Sequence, residues 1–137
     1  CSEPTHIHTH ANTTQIVANM PEITPTVKFS VVAREWRCKW SSDNDKASLN
    51  ACQALLDSTL PLLKAIPGVK NVQRVVCGSC LDFKVITGLE AGAIADWEAN
   101  GFAPEKQFLE KLAAIPGVTN IETQTYTLEN MLDAEST

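Results

Sequence analysis

An eight-residue segment that occurs twice places the strongest constraint on how this chain folds. Residues 65–72 read AIPGVKNV and residues 114–121 read AIPGVTNI, so six of the eight positions are identical. In both copies an amphipathic helical pattern precedes the Pro-Gly pair and an alternating, strand-like pattern follows it. We interpret the chain as two β-α-β halves related by an internal repeat.

Alternating apolar and polar residues predict strands over residues 27–40, 69–77, 80–87 and 118–128. Apolar positions spaced by three and four predict a helix over residues 49–66. A second helical pattern runs from about residue 90 to 115 and is broken at Asn100-Gly101.

Local deviations from these patterns give three further expectations. The apolar phase of the first strand changes near Arg34-Glu35, which predicts a β-bulge. Pro61 is expected to kink or split the first helix near residue 59. Gly78-Ser79 is expected to form a two-residue hairpin turn between the second and third strands.

Two β-α-β units in succession predict an α+β protein with the ferredoxin-like order β-α-β-β-α-β, an antiparallel four-stranded sheet and helices on one face. We expect the first and third strands to be neighbours at the sheet centre and to run parallel. This domain is predicted over residues 26–128. Residues 1–25 are predicted to be an extended or mobile arm with a short strand at residues 15–17, and residues 129–137 a frayed tail.

The 137 residues carry a formal net charge of −5, which argues against a nucleic-acid partner because phosphate contacts need a basic surface. No apolar stretch is long enough for a transmembrane helix. The first residue is Cys1 rather than Met, so we expect a processed N-terminus. That expectation fits an exported protein lipid-anchored at Cys1 or an organellar one, and the compartment stays open.

Cysteine and histidine supply two patterns with metal or redox potential. Cys77 and Cys80 form a C-x-x-C at the hairpin, for which a structural disulfide is favoured over a metal or redox role. The tail contains His6, His8 and His10, whose imidazoles would share one side of an extended chain and suit a transition metal. These are the only histidines, so a histidine general base inside the domain is excluded.

Basic and aromatic residues are concentrated on the first strand. This strand and its predicted neighbour supply the residues expected to bind a ligand or partner, which are Arg34, Trp36, Arg37, Trp40, Asp82 and Lys84. We expect Arg34, Asp82 and Lys84 to share the open face of the sheet with Val32, Trp36 and Ile86. The alternative, in which both tryptophans belong to the core, also stays open.

The sequence has a hairpin with Gly78 and Asp82, the motif LxxIPGV at residues 112–118 and a Thr-rich last strand. In these features residues 78–126 resemble the effector-binding domain of leucine-responsive regulators, and residues 27–128 more broadly resemble the dimeric α/β-barrel superfamily. The resemblance implies a barrel made of two sheets that binds small ligands, and the superfamily includes cofactor-free monooxygenases. No helix-turn-helix segment precedes the domain, so a regulator role is not implied.

Two functions follow, and we favour the first. It is a non-catalytic binding or assembly subunit, whose open sheet face docks a partner protein, a second copy of the chain or a small organic ligand. The alternative is a cofactor-free enzyme of the dimeric α/β-barrel type, with Glu35, Asp82, Tyr126 or the cysteines as acid or base. The sequence has no Gly-rich phosphate loop and no strong metal cage, so we expect no cofactor.

Overall fold

A computed structural model describes residues 20–134 of the chain. The predicted strand at residues 15–17 and the residues Cys1, His6, His8 and His10 lie outside this range. The elements, in chain order, are β1 Glu22–Thr24, β2 Val27–Lys28, β3 Val31–Lys39, α1 Asp43–Lys64, β4 Val69–Val76, β5 Asp82–Glu90, a 3-10 turn Ala91–Ala93, α2 Ile94–Ala99, α3 Glu105–Ala113, β6 Thr119–Leu128 and α4 Met131–Ala134.

The main sheet has the strand order β4-β5-β3-β6, and each neighbouring pair is antiparallel. The predicted ferredoxin-like α+β fold is thereby confirmed. The first and third predicted strands correspond to β3 and β5, which are neighbours at the sheet centre as expected. Their predicted parallel direction is wrong. After α1 the chain re-enters the sheet as β4, which runs parallel to β3. The β4–β5 connection then reverses the chain, so β5 is antiparallel to β3.

The two faces of the sheet have different surroundings. Along β3, Trp36 packs on Phe108 of α3 and Cys38 contacts Cys52 of α1, so even-numbered residues face the helices. On β5 the odd-numbered residues Phe83 and Val85 belong to the same core. The opposite face, which we call the open face, carries the odd-numbered residues of β3 and the even-numbered residues of β5.

The expected bulge near Arg34-Glu35 is absent, because β3 pairs with β5 without interruption from Val31 to Lys39. The irregularity in β3 lies instead between Arg37 and Lys39, where it pairs with β6. The change of apolar phase has another cause. Val27 belongs to the separate strand β2, so the alternation that starts there does not continue into β3.

Two other local expectations are corrected. Helix α1 passes through Pro61 and ends at Lys64, because the proline lies in the last turn and removes little of the hydrogen-bond ladder. Five residues, 77–81, join β4 to β5 instead of the two-residue turn, and Leu81 adopts a positive φ of 62°.

Both Pro-Gly turns end a helix with a glycine in the left-handed region, at φ 85° for Gly68 and 94° for Gly117. A Cβ at Gly68 would lie 2.4 Å from the Cβ of Ala93, so glycine is required there for packing as well as for backbone conformation. Superposition of the two halves stays a prediction.

The predicted domain limits also stay a prediction, with two additions. A hairpin of β1 and β2 extends from the segment predicted as an arm, and α4 lies in the segment predicted as a tail. None of the helices described here is long and apolar enough to cross a membrane.

Candidate functional site

A polar cluster lies between the sheet and the helices, where a structural core is usually apolar. We call it the Arg34 cluster, and it comprises Arg34, Trp36, Glu105, Thr123 and Thr125. The Arg34 guanidinium donates to both carboxylate oxygens of Glu105, from Nε at 2.8 Å and from Nη2 at 3.1 Å. It also donates to the hydroxyls of Thr125 at 2.8 Å and Thr123 at 3.1 Å. The Trp36 indole N–H donates to Glu105 at 2.7 Å.

Aromatic rings surround this ion pair. The Arg34 guanidinium lies 4.1 Å from the ring centre of Phe102, and the Trp36 ring lies 4.7 Å from that of Phe108. The side chains of Arg34 and Glu105 are 15% and 16% exposed, so one edge of the pair reaches solvent. A groove of about 140 Å³ lies between α1 and α3, with Pro104 and Phe108 in its lining.

Thr87 adds an unsatisfied hydroxyl to the same layer. It is paired with Arg34 across the β3–β5 ladder, so the two side chains lie on one face of the sheet. Thr87 is 1% exposed, and its Oγ1 is the one buried side-chain polar atom without a hydrogen-bond partner among residues 20–134. An orphaned hydroxyl beside a charged cluster indicates a position where a ligand or water accepts or donates a hydrogen bond.

The loop between α2 and α3 positions Glu105 against Arg34 of the sheet. Gly101 and Phe102 adopt positive φ values of 70° and 56°, which reverse the chain after α2. Trp97 holds this loop by donating its indole N–H to the carbonyl of Ala103 at 2.8 Å, and the Phe102 N–H donates to the Trp97 carbonyl at 2.9 Å. The loop therefore places Phe102 over Arg34 and begins α3 at Glu105 itself.

A second polar cluster lies on the open face. We call it the Glu35 cluster, and it comprises Glu35, Arg37, Glu122 and Tyr126. Glu35 accepts from the Tyr126 hydroxyl at 2.7 Å and from Arg37 Nη1 at 3.0 Å, while Arg37 also donates twice to Glu122. Burial together with the adjacent Glu35 carboxylate raises the pKa of Tyr126 above its ordinary value, because both disfavour a phenolate. Two of the predicted acid or base residues are thus in contact.

The structure separates the residues predicted to share the open face. Asp82, Lys84 and Ile86 lie there as expected, together with Arg37. The expectation that Arg34 and Trp36 join them is wrong. The alternation along β3 places these two on the helix side, together with Val32, which belongs to the core. Trp40 is also in the core, with its indole N–H donating to the carbonyl of Asp82 at 3.2 Å.

The side chains of Lys39 and Asp82 form an ion pair of 2.7 Å near the hairpin end of the sheet. The hydrogen bond from Lys39, helped by its charge, lowers the pKa of Asp82 against the opposing effect of desolvation. Asp82 is therefore ionised at neutral pH and is suited to accept hydrogen bonds rather than to donate a proton.

The four cysteines in the described range form two pairs. Cys77 and Cys80 are joined by a disulfide in the β4–β5 connection, whereas Cys38 and Cys52 are buried free thiols with their sulfurs 4.0 Å apart. In the part of the chain that the structure describes, no group of three His, Cys, Asp or Glu side chains is placed to hold a metal ion.

Sequence reasoning missed Glu105, Phe102, Thr87 and the two threonines of β6. The start of α3 after Pro104 was visible in the sequence, but its contact with a residue 71 positions earlier was not.

Solved monooxygenases share this architecture. The monooxygenase of the ActVA-Orf6 gene of Streptomyces coelicolor, solved in complex with nanaomycin D, is 15% identical over 74% of this chain and 89% of its own, with a TM-score of 0.52. A proposed antibiotic biosynthesis monooxygenase from Deinococcus radiodurans is 17% identical over 72% of this chain and 93% of its own, also with a TM-score of 0.52. No protein-family model and no curated protein sequence matches the chain.

These comparisons correct the favoured function. Both similar proteins are named as monooxygenases, which overturns the preference for a non-catalytic binding or assembly subunit and against an enzyme. The closer resemblance to the effector-binding domain of leucine-responsive regulators is not confirmed. The chain has the ferredoxin-like fold found in the dimeric α/β-barrel superfamily.

Proposed function

We propose that the protein is a cofactor-free oxygenase that acts on a small aromatic substrate with an acidic hydroxyl group. The observation that carries this proposal is the Arg34 cluster, an ion pair enclosed by aromatic rings inside the layer between sheet and helices. Aromatic side chains such as Trp36 and Phe102 can stack on the planar ring of a substrate, and a guanidinium fork can hold an oxyanion. The likeness to monooxygenases in fold supports the reaction type.

Each charged residue of the cluster has a role in this proposal. The substrate oxygen takes the position of the Glu105 carboxylate on Arg34, and Glu105 becomes free to accept the phenolic proton as a general base. Arg34 then stabilises the phenolate electrostatically. The Trp36 N–H keeps Glu105 within reach, because it donates to Oε1, the carboxylate oxygen that also accepts from Arg34 Nε, and so holds Glu105 when Arg34 turns to the substrate. Thr87 is the adjacent free hydrogen-bonding group for a second oxygen of the substrate.

The electrons come from the substrate in this reaction. For a phenol with a free para position, molecular oxygen places one oxygen atom on the ring and releases the other as water, so that the substrate leaves as a quinone. The substrate loses four electrons in total, and the two oxygen atoms gain them. Deprotonation makes the ring electron-rich enough to react, which is the contribution required of Glu105 and Arg34.

We also propose that two copies pair through their open faces, as the dimeric-barrel resemblance implies. Apolar and small residues lie there beside the Glu35 cluster, among them Ala33 and Ile86. Sheet-to-sheet packing would bury the Tyr126–Glu35 pair between the two copies and leave the two Arg34 clusters outside the interface.

Oxygen uptake tests the proposed reaction, with 1-naphthol and related hydroxynaphthalenes as probes. We expect turnover by the wild type and a loss of about 100-fold or more in Glu105→Gln, because general bases typically contribute a factor of that order or larger. Glu122→Gln is the matched control, since Glu122 is also paired with an arginine but lies on the open face. No uptake with any probe, together with no quenching of tryptophan fluorescence by them, would overturn the proposal.

A further inference from the structure

The Cys77–Cys80 disulfide lies in the connection between β4 and β5, away from the Arg34 cluster. Its two sulfurs have different surroundings. Cys77 is partly buried and Cys80 is exposed. The backbone N–H of Cys80 donates to Cys77 Sγ at 3.1 Å, and the Ser79 hydroxyl lies 3.7 Å from the same sulfur. Cys80 Sγ instead lies 3.4 Å from a carboxylate oxygen of Asp82.

We propose that this pair is a reversible thiol–disulfide exchange site for small thiols and dithiols, in which Cys80 is attacked and Cys77 leaves as the thiolate. This site is independent of the proposed oxygenase reaction. It uses the C-x-x-C motif in a hairpin connection, where local hydrogen-bond donors replace the helix N-terminus that such motifs often use.

The surroundings of Cys77 favour a negative charge on its sulfur. A thiolate is stabilised by hydrogen-bond donors directed at it, and Cys77 Sγ already accepts the N–H of residue 80 and faces the Ser79 hydroxyl. These contacts are made within three residues of the chain, so we expect them to persist when the disulfide opens locally. Cys77 is therefore the better leaving group.

The surroundings of Cys80 favour a neutral thiol. The nearby Asp82 carboxylate is a hydrogen-bond acceptor and carries a negative charge, both of which disfavour a second anion on Cys80. Lys39 offsets part of this charge, since its ammonium group lies 2.7 Å from the other Asp82 oxygen and also donates to the Cys80 carbonyl. An incoming thiolate therefore meets a partly neutralised carboxylate beside the exposed Cys80 sulfur.

The exchange is balanced as two displacements. An external thiolate forms a bond to Cys80 Sγ as the Cys77–Cys80 bond breaks, and the electron pair leaves on Cys77. A second thiolate then attacks the external sulfur of the mixed disulfide, and Cys80 leaves and takes up a proton. The protein gains two electrons, and the external thiols are oxidised to a disulfide.

Alkylation rates test the polarity of the site in the full chain. In Cys80→Ser the single thiol of Cys77 should react with iodoacetamide about tenfold faster at neutral pH than the thiol of Cys80 in Cys77→Ser, because thiolate is the reactive form. Peptide mapping by mass spectrometry assigns each adduct. Cys38 and Cys52 serve as internal controls for folding, since they are buried and should stay unmodified.

Two further measurements complete the test. Native wild type should be reduced at Cys77 and Cys80 by about 1 mM dithiothreitol within minutes and without denaturant, since the bond is exposed. Adding Asp82→Asn to Cys77→Ser should increase the alkylation rate of Cys80. Equal or reversed rates for the two single thiols, or reduction that occurs only when Cys38 and Cys52 also become reactive, would overturn the proposal.

Discussion

Two ion-pair clusters lie on opposite faces of the same strand, and their first members, Arg34 and Glu35, are consecutive residues. Each cluster joins a guanidinium on β3 to a carboxylate far away in the sequence. On the helix side the partners Arg34 and Glu105 are 15% and 16% exposed, whereas on the open face Arg37 and Glu122 are 34% and 55% exposed. The same chemical pair is thus held in two different dielectric surroundings.

The difference in exposure shows how burial changes what an ion pair contributes to the protein. Solvent screens the outer pair, so its hydrogen bonds contribute little to stability and are free to rearrange against a second surface. The inner pair is largely desolvated. The free-energy cost of that desolvation is offset only if hydrogen bonds satisfy both charged groups or if a bound ligand interacts with them. The Arg34 guanidinium makes four hydrogen bonds, yet the Thr87 hydroxyl beside it makes none.

The largest effect is expected from removing the aromatic support of the inner cluster. Trp36→Ala should lower the free energy of unfolding by about 3–5 kcal/mol, because a fully buried ring is lost and a cavity forms. Urea unfolding followed by circular dichroism measures the change. A loss below about 1 kcal/mol would show that this face is not core, as the sequence-based placement of Trp36 on the open face required.

Replacing one carboxylate in each cluster, Glu105 or Glu122, compares the two clusters directly. Glu105→Gln should cost about 2–3 kcal/mol of stability, because Arg34 stays largely buried with its charge unpaired. Glu122→Gln should cost at most about 1 kcal/mol, since that pair is exposed and screened. Added salt should reduce the second effect more than the first. Equal losses in the two variants would contradict the comparison.

The sequence predicts the elements better than it predicts the faces. Strand order and helix positions follow from the two β-α-β patterns, because periodicity depends on many residues at once. The face of β3 was misjudged because its helix side includes the charged Arg34 while its open side includes the small apolar Ala33. Hydrophobic alternation assumes that charged residues face solvent, and the distant partner that permits Arg34 to be buried, Glu105, leaves no local signal.

A further prediction concerns Tyr126 on the open face, which is the only tyrosine in the chain. Its raised pKa means that the folded protein holds the phenolic proton more tightly than the unfolded chain. Stability from this group is therefore complete below the unfolded pKa of about 10 and declines as the pH rises above it. Tyr126→Phe should show a shallower loss of stability in that range.

Absorbance at the phenolate band measures this titration directly, because no other tyrosine contributes. The transition should shift toward the ordinary tyrosine pKa in Glu35→Gln, which keeps a side chain of the same size without the charge. A wild-type transition already at the ordinary value would show that the Tyr126–Glu35 hydrogen bond does not hold in solution.

The smallest expected change concerns Thr87, and it separates a structural role of the inner cluster from a ligand-binding one. Thr87→Val replaces the buried, unpaired hydroxyl with a methyl group of similar size, so the ligand-free protein should be unchanged or more stable by up to about 1 kcal/mol. Thr125→Val is the matched variant on the other side of Arg34, and it should lose about 1 kcal/mol because it removes a hydrogen bond. If the cluster binds the proposed substrate, Thr87→Val should weaken binding of the naphthol probes while leaving the fold intact, because the orphaned hydroxyl would then be satisfied only in the complex. A Thr87→Val variant that is clearly destabilised without any probe would show that the hydroxyl already has a partner in the free protein, and the inner cluster would then be a structural network closed to ligands.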